Sequence, residues 1–227
     1  TPPPIIKISK SSNAKDFKAD IRCAGLNCEV NMWSSPLPFA VSSYRLKDMP
    51  YIASLDQGTS STRCMIFDPQ GRVISMAQKE HQQFTPQAGW VEHDAREIWQ
   101  NTQEVIQKAI KAANISTSEI SAIGVTNQRE TIVAWDSQTG APLHHAIVWQ
   151  DTRSADFLNQ FSAEVKEELI HKTGLAIAPY FSASKIHWLL HNIAEVRDAL
   201  AVGRLRVGTI DSWLMWNLTS GLHITDV

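Results

Sequence analysis

A chain of 227 residues, 43 % hydrophobic and 19 % charged, is long enough to bury one large core or two small ones. This composition excludes collagen, a coiled coil and a low-hydrophobicity disordered chain. A net charge of −2 argues against an electrostatic nucleic-acid binder, and three cysteines, Cys23, Cys28 and Cys64, make neither a disulfide scaffold nor paired zinc ligands. No run of about eighteen apolar residues occurs, so no membrane-spanning helix is expected.

Residues 1–50 hold six of the ten prolines, one glycine, seven basic and four acidic residues; the remainder holds 14 basic and 19 acidic residues. Thr1-Pro2-Pro3-Pro4 and Trp33-Ser34-Ser35-Pro36-Leu37-Pro38 suit neither a helix interior nor a central strand. With no sustained period of 2 or 3.6, residues 1–48 are expected to be disordered or a non-native extension, and residues 49–227 to form the folded domain. A mitochondrial transit peptide is one reading of this basic, serine-bearing start, although Asp16, Asp20 and Glu29 are unusual there. The other reading makes Met49 the initiator, because pattern begins abruptly at that point.

From Tyr51 the pattern is β. Short strands are expected over 52–56, 63–68 and 73–79, joined by the polar run 57–62 and by Asp68-Pro69-Gln70-Gly71, which makes an antiparallel meander. A helix follows, with Asp94 and Glu97 in N-cap and N3 relation and a stripe of Ile98, Thr102, Val105, Ile106, Ala109, Ile110 and Ala113. Strands are expected over 120–126, 131–136, 146–149 and 205–209, and helices over about 151–172, 182–201 and 211–218. Strand, helix, then alternating strand and helix is a mixed α/β layer fold.

The densest chemical signal is Asp56-Gln57-Gly58-Thr59-Ser60-Ser61-Thr62-Arg63. A strand carries a carboxylate to its end, a glycine permits a tight turn, four hydroxyl residues add donors, and an arginine closes the run. A carboxylate in such a place suits Mg²⁺, and the set suits the terminal phosphates of a nucleotide. The competing reading is a polar hairpin loop with no ligand. It is not a P-loop, since that motif's lysine is missing.

Five further motifs occur in order: Gly89-Trp90-Val91-Glu92-His93-Asp94, Ile123-Gly124-Val125-Thr126-Asn127-Gln128-Arg129-Glu130-Thr131, Val148-Trp149-Gln150-Asp151-Thr152-Arg153, Pro179-Tyr180-Phe181-Ser182-Ala183-Ser184-Lys185 and Gly208-Thr209-Ile210-Asp211-Ser212-Trp213-Leu214. With the Asp56 loop, they make residues 51–227 resemble the FGGY carbohydrate kinase family, and within it the glycerol kinases. The resemblance implies an α/β, ribonuclease H-like or actin-like ATPase fold, a mixed sheet flanked by helices, as the first of two family domains with the C-terminal domain absent. It implies ATP-dependent phosphorylation of glycerol to sn-glycerol 3-phosphate, with ATP and Mg²⁺ as cofactors, glycerol and ATP as partners, and a cytoplasmic homo-oligomer. The catalytic-base aspartate is expected in a later Gly-Asp-Gln segment and the adenosine site later still, so this chain alone is expected to be nearly inactive.

Carried over residue by residue, the resemblance places glycerol at Arg129, Glu130, Tyr180 and Trp149. It places the ATP phosphates at Thr59, Ser60, Ser61 and Arg63, and Mg²⁺ near Asp56 through water. A triol needs paired donors and acceptors and an apolar wall, which an arginine fork, a carboxylate and two aromatics supply. Taken singly, Arg129-Glu130 also reads as a strand-end ion pair, and Trp149 and Tyr180 as core aromatics. A sibling sugar kinase, for xylulose or gluconate, and a truncated non-catalytic product stay open as alternatives. In this family an acidic or other polar residue usually stands where His191 does.

His187 and His191 lie four apart on an expected helix, but a pair without a third ligand does not make a zinc site. His144-His145 is expected in a solvated loop, and Cys64 as a small buried hydrophobe.

Overall fold

The structure is a computed structural model that describes residues 51–226 and two stretches before them, 5–10 and 17–22. These stretches are strands, β1 (Ile5–Lys10) and β2 (Phe17–Arg22), paired antiparallel from Ile5 opposite Arg22 to Lys10 opposite Phe17. No regular structure was expected there. Both stretches do alternate, Ile6 and Ile8 with Lys7 and Ser9, Phe17, Ala19 and Ile21 with Lys18 and Asp20, over too few residues to stand out. Expectations for the rest of 1–50, including a start at Met49, lie outside the described residues.

The meander forms as its alternation requires. β3 (Tyr51–Gln57), β4 (Ser61–Phe67) and β5 (Val73–Glu80) pair antiparallel in sequence. Ala53, Leu55 and Gln57 of β3 and Thr62, Cys64 and Ile66 of β4 are buried, with their neighbours in sequence less so. Burial pushes the Cys64 thiol up to about 12, so it acts as an inert apolar side chain. Next come two strands too short for any periodicity, β6 (Gln83–Phe84) and β7 (Glu92–His93).

Helix α1 (Ala95–Ala113) buries Ile98, Thr102, Val105 and Ala109, the expected stripe. Its N-terminus differs from the expected capping box. Asp94 Oδ1 accepts from the Arg96 amide at 2.8 Å, but the Glu97 carboxylate accepts from the Gln82 amide instead of turning back to Asp94. A complete box occurs elsewhere, between Ser116 and Glu119, around a one-turn 3₁₀ helix, Thr117–Glu119.

β8 (Ile120–Asn127) completes a six-stranded sheet of order β2-β1-β8-β3-β4-β5. The second sheet adds β9 (Ile132–Asp136), buried along its whole length, β10 (Ala146–Ile147) and β11 (Leu205–Thr209), in the order β11-β9-β10-β7-β6.

The two helices expected over 151–172 and 182–201 are each divided. α2 (Ala155–Asn159) and α3 (Ala163–Thr173) part at Ser162, whose extended backbone lets its hydroxyl accept from the Val165 amide. Residues 151–154 stay outside the helix because the Asp151 carboxylate binds the Val91 and Arg153 amides. α4 (Ser182–Asn192) and α5 (Ala194–Ala201) part at Ile193, at φ −109° and ψ 115°. α6 (Ile210–Leu218) follows β11 directly.

Two compact units result. One comprises 1–80, 101–126 and 215–227, and the other 81–100 and 127–214. The core of the second unit packs Ile132 and Ala134 of β9 and Ile147 of β10 against Leu189 of α4 and Val196 of α5. Beside it Trp135 and Trp213 meet edge to face at 5.6 Å, and the Trp213 indole N–H donates to the Ala95 carbonyl. The architecture is the expected mixed α/β arrangement of sheets flanked by helices.

Candidate functional site

The two groups of candidate residues fall in different units. Asp56, Thr59, Ser60, Ser61 and Arg63 belong to the first, and Arg129, Glu130, Trp149 and Tyr180 to the second.

In the first unit the loop is a tight hairpin. The Gly58 amide donates to the Ser61 carbonyl at 2.9 Å, and Gln57 pairs with Thr62. A Cβ on Gly58 would stand 3.3 Å from that same carbonyl, so a larger residue crowds the turn. Asp56 and Arg63 are directly opposite across β3 and β4, yet they do not pair. Arg63 Nε instead donates to Gln78 Oε1 at 3.1 Å, and Gln78 Nε2 donates to the Ser61 hydroxyl at 2.9 Å. Asp56 is half-buried, and its carboxylate has no hydrogen bond or ion pair among the described residues. Ser60 is exposed at the tip. A lone carboxylate beside a turn of hydroxyls fits Mg²⁺, which takes few protein ligands and keeps water and phosphate oxygens for the rest of its shell. Among the described residues no group of three or more His, Cys, Asp or Glu is placed to hold a metal by itself.

In the second unit three of the four candidates converge. Glu130 lies in the β8–β9 connection at φ 64°, an uncommon conformation for a residue with a side chain. Its Oε2 accepts from the Ser182 amide at 2.8 Å and from the Ser182 hydroxyl at 2.5 Å, so it caps the N-terminus of α4 from outside the helix. Tyr180 lies two residues before Ser182. Its ring meets Trp149 at 5.8 Å and 66°, and Phe181 at 5.1 Å. The Trp149 amide donates to the Thr131 hydroxyl, tying that residue to the chain just past Glu130. Tyr180 is 38 % exposed and Trp149 half-exposed, so neither is a core aromatic. Arg129 is exposed with no hydrogen bond or ion pair among the described residues. The strand-end ion pair between Arg129 and Glu130 does not form.

A buried polar framework stands behind these residues. The Thr131 hydroxyl donates to Gln128 Oε1 at 2.9 Å, and Gln128 Nε2 lies 3.2 Å from His93 Nδ1. Burial, with His81 beside it, holds the His93 imidazole down to about 3, so it is neutral and Nδ1 can accept. Arg153 binds Asp151 through Nε and Nη2 and Glu92 through Nη2, with its guanidinium against Trp90 at 3.9 Å and Trp188 at 4.6 Å, whose rings meet each other edge to face. Both side chains of the Arg153–Asp151 pair are fully buried. The motifs around Glu92 and Arg153 are thereby explained by mutual packing, a role not assigned from sequence. His144-His145 is solvated only in part: His145 is exposed, with Nδ1 3.1 Å from Glu92 Oε2, whereas His144 packs on Trp188, where burial pulls its imidazole below the usual range. His187 stacks between Phe157 and His191, at 3.5 and 3.9 Å.

A two-sheet α/β architecture with a hydroxyl-rich hairpin in one unit and a carboxylate–aromatic cluster in the other marks a domain of the actin-like ATPase fold. Residues 51–227 match the FGGY family of carbohydrate kinases, N-terminal domain. The chain belongs to that family. It is 51 % identical over 181 residues to a glycerol kinase of Saccharopolyspora erythraea, covering 78 % of this chain and 36 % of that protein. Among solved structures it is similar to Plasmodium falciparum glycerol kinase with ADP, at TM-score 0.72 and 39 % identity, covering 76 % of this chain and 35 % of the other. A xylulose kinase from Lactobacillus acidophilus shares the fold, at TM-score 0.63 and 20 % identity over 74 % of this chain and 33 % of its own. The chain thus spans about a third of the length of the curated relatives it matches. Among the described residues no helix is long and apolar enough to cross a membrane.

Proposed function

We propose that this chain supplies the glycerol-holding and phosphate-holding residues of an ATP:glycerol 3-phosphotransferase. The observation that carries the reading is the convergence of Glu130, Trp149 and Tyr180, with Arg129 next in sequence, exposed and without an ion pair among the described residues. Arg129 donates and Glu130 accepts at adjacent hydroxyls of the triol, the Tyr180 hydroxyl reaches a third contact, and the Trp149 ring covers the carbon chain. Thr59, Ser60, Ser61 and Arg63 would hold the β- and γ-phosphates of ATP, and Asp56 would hold Mg²⁺ through water; when bound, the ion would supply charge neutralisation for the transferring phosphoryl group. With the chain spanning about a third of the length of the glycerol kinases it matches, these 227 residues alone are expected to turn over far below the roughly 10 s⁻¹ of an ordinary enzyme. The strong similarity to glycerol kinases supports the polyol assignment over a larger sugar.

The test is calorimetric titration of the chain with glycerol, D-xylulose and gluconate in parallel, each repeated with Arg129→Ala. Glycerol binding that falls at least about tenfold in the variant, with neither larger substrate bound, is expected. Binding of xylulose or gluconate in preference to glycerol overturns the assignment. A coupled assay with glycerol and MgATP covers the second expectation, and turnover near 10 s⁻¹ by the chain alone overturns it.

A further inference from the structure

Lys185 is fully buried, at 0 % exposure, in the first turns of α4. A buried ammonium is costly to desolvate, so a lysine here needs a reason beyond packing. Its Nζ donates to three successive backbone carbonyls, those of Pro179 at 2.9 Å, Tyr180, and Phe181 at 3.4 Å. An ammonium has three hydrogens and no acceptor, so the match between donors and carbonyls is complete. Three consecutive carbonyls reach one point only if the backbone curls around it. That curl fixes Tyr180, and the Tyr180 ring leaves it to meet Trp149. The next residue, Ser182, is held from the other side by Glu130. Glu130 and Asp151 both favour the charged form, while burial lowers the ammonium to about 8.

We propose that Lys185 is a positioning residue which holds Tyr180 against Trp149 by gathering the carbonyls of residues 179–181 on one ammonium group. The inference rests on the polyol reading of Arg129, Glu130, Trp149 and Tyr180 for its functional meaning, but not for its geometry. Lys185 touches no ligand; it acts through Tyr180. A methionine at this position fills the same space and leaves three carbonyls without a donor. The loop then opens toward water, and the aromatic pair separates.

A double-mutant cycle separates positioning from plain structural support. Glycerol dissociation constants are measured for the wild-type chain, Lys185→Met, Tyr180→Ala and the double variant. Lys185→Met is expected to weaken glycerol about tenfold in the wild-type background and less than about twofold once Tyr180 is gone. Equal losses in the two backgrounds overturn the proposal, because Lys185 then acts on something other than Tyr180. If the wild-type chain binds no glycerol, the polyol reading fails. The latch is then judged by the nuclear Overhauser contact between the Tyr180 and Trp149 rings, present in wild type and absent in Lys185→Met if the proposal holds. A contact that persists in the variant overturns it. Should Lys185→Met not fold, the ¹⁵N-labelled wild-type side chain decides the matter. A slowly exchanging Lys185 ammonium signal coupled to the carbonyls of 179–181 supports the latch, and a freely exchanging one refutes it.

Discussion

Replacing Asp151 by Asn tests the buried framework most directly. Asp151 accepts four hydrogen bonds: from the Val91 amide at 2.6 Å, the Arg153 amide at 2.8 Å, Arg153 Nε at 2.9 Å and Arg153 Nη2 at 2.8 Å. Its side chain and that of Arg153 are both at 0 % exposure. Asparagine keeps one acceptor oxygen and turns an NH₂ toward groups that can only donate. The Arg153 charge then retains Glu92 alone, buried against the mutually perpendicular rings of Trp90 and Trp188. Breaking a buried pair by removing one partner costs about 3–5 kcal/mol, and the surviving Glu92 contact places the expected loss near the lower end, about 3 kcal/mol.

A domain of this size holds only about 5–15 kcal/mol in total, so the variant should unfold at visibly lower urea. Equilibrium urea unfolding at pH 7, followed by near-ultraviolet circular dichroism, reads the loss and the released packing of Trp90 and Trp188 together. A loss under about 1 kcal/mol would put the pair in the class of solvent-screened surface bridges and refute the reasoning.

Gly89→Ala should cost about 1–3 kcal/mol in the same assay, since Gly89 has φ 76° and a Cβ there would lie 2.4 Å from the Thr152 hydroxyl. His93 gives a pH dependence of known sign. Its imidazole is held down to about 3 by burial, so below its ordinary value of 6.5 the unfolded chain takes up a proton that the folded one refuses. The stabilisation is complete above 6.5 and is lost as pH falls toward 3. Wild type should therefore lose about 2 kcal/mol more than His93→Gln between pH 7 and pH 5, and equal losses would contradict a buried neutral histidine. Glu130→Gln should keep an acceptor for Ser182 and so cost under about 1 kcal/mol of stability, while weakening glycerol binding about tenfold or more by calorimetry.

What the sequence disclosed depended on whether a local pattern existed. The meander was legible because β3 and β4 alternate cleanly, and α1 because its apolar stripe is long. The divisions at Ser162 and Ile193 were not. Ser162 is a local N-cap whose hydroxyl accepts from the Val165 amide, a signal that a continuous helix over 151–172 passed over. Ile193 turns extended between two helices with no capping side chain to mark it. The capping residues show the same limit. Glu97 has the right spacing from Asp94, but the Gln82 amide, fifteen residues away, competes for its carboxylate and wins. Lys185 and Arg153 stood inside quoted motifs with no role attached. Their partners are backbone carbonyls in one case and residues as distant as Glu92 and Trp188 in the other, and neither set follows from spacing.

Glu130 shows why a motif fixes residue types before it fixes contacts. Adjacent opposite charges invite an ion pair, and a residue in a β conformation after Arg129 would allow one. The left-handed conformation at φ 64° instead turns Glu130 toward the start of α4, where the Ser182 amide and hydroxyl donate to its carboxylate. Such a conformation costs on the order of 1 kcal/mol in a residue with a Cβ, and two charge-assisted hydrogen bonds offset it. The cap therefore does two things at once. It fixes the loop that carries Tyr180, and it leaves Arg129, exposed and without an ion pair among the described residues, next in sequence to a carboxylate already oriented by another element. On the proposed polyol reading, this leaves both side chains available to one hydroxyl, which a closed ion pair would prevent.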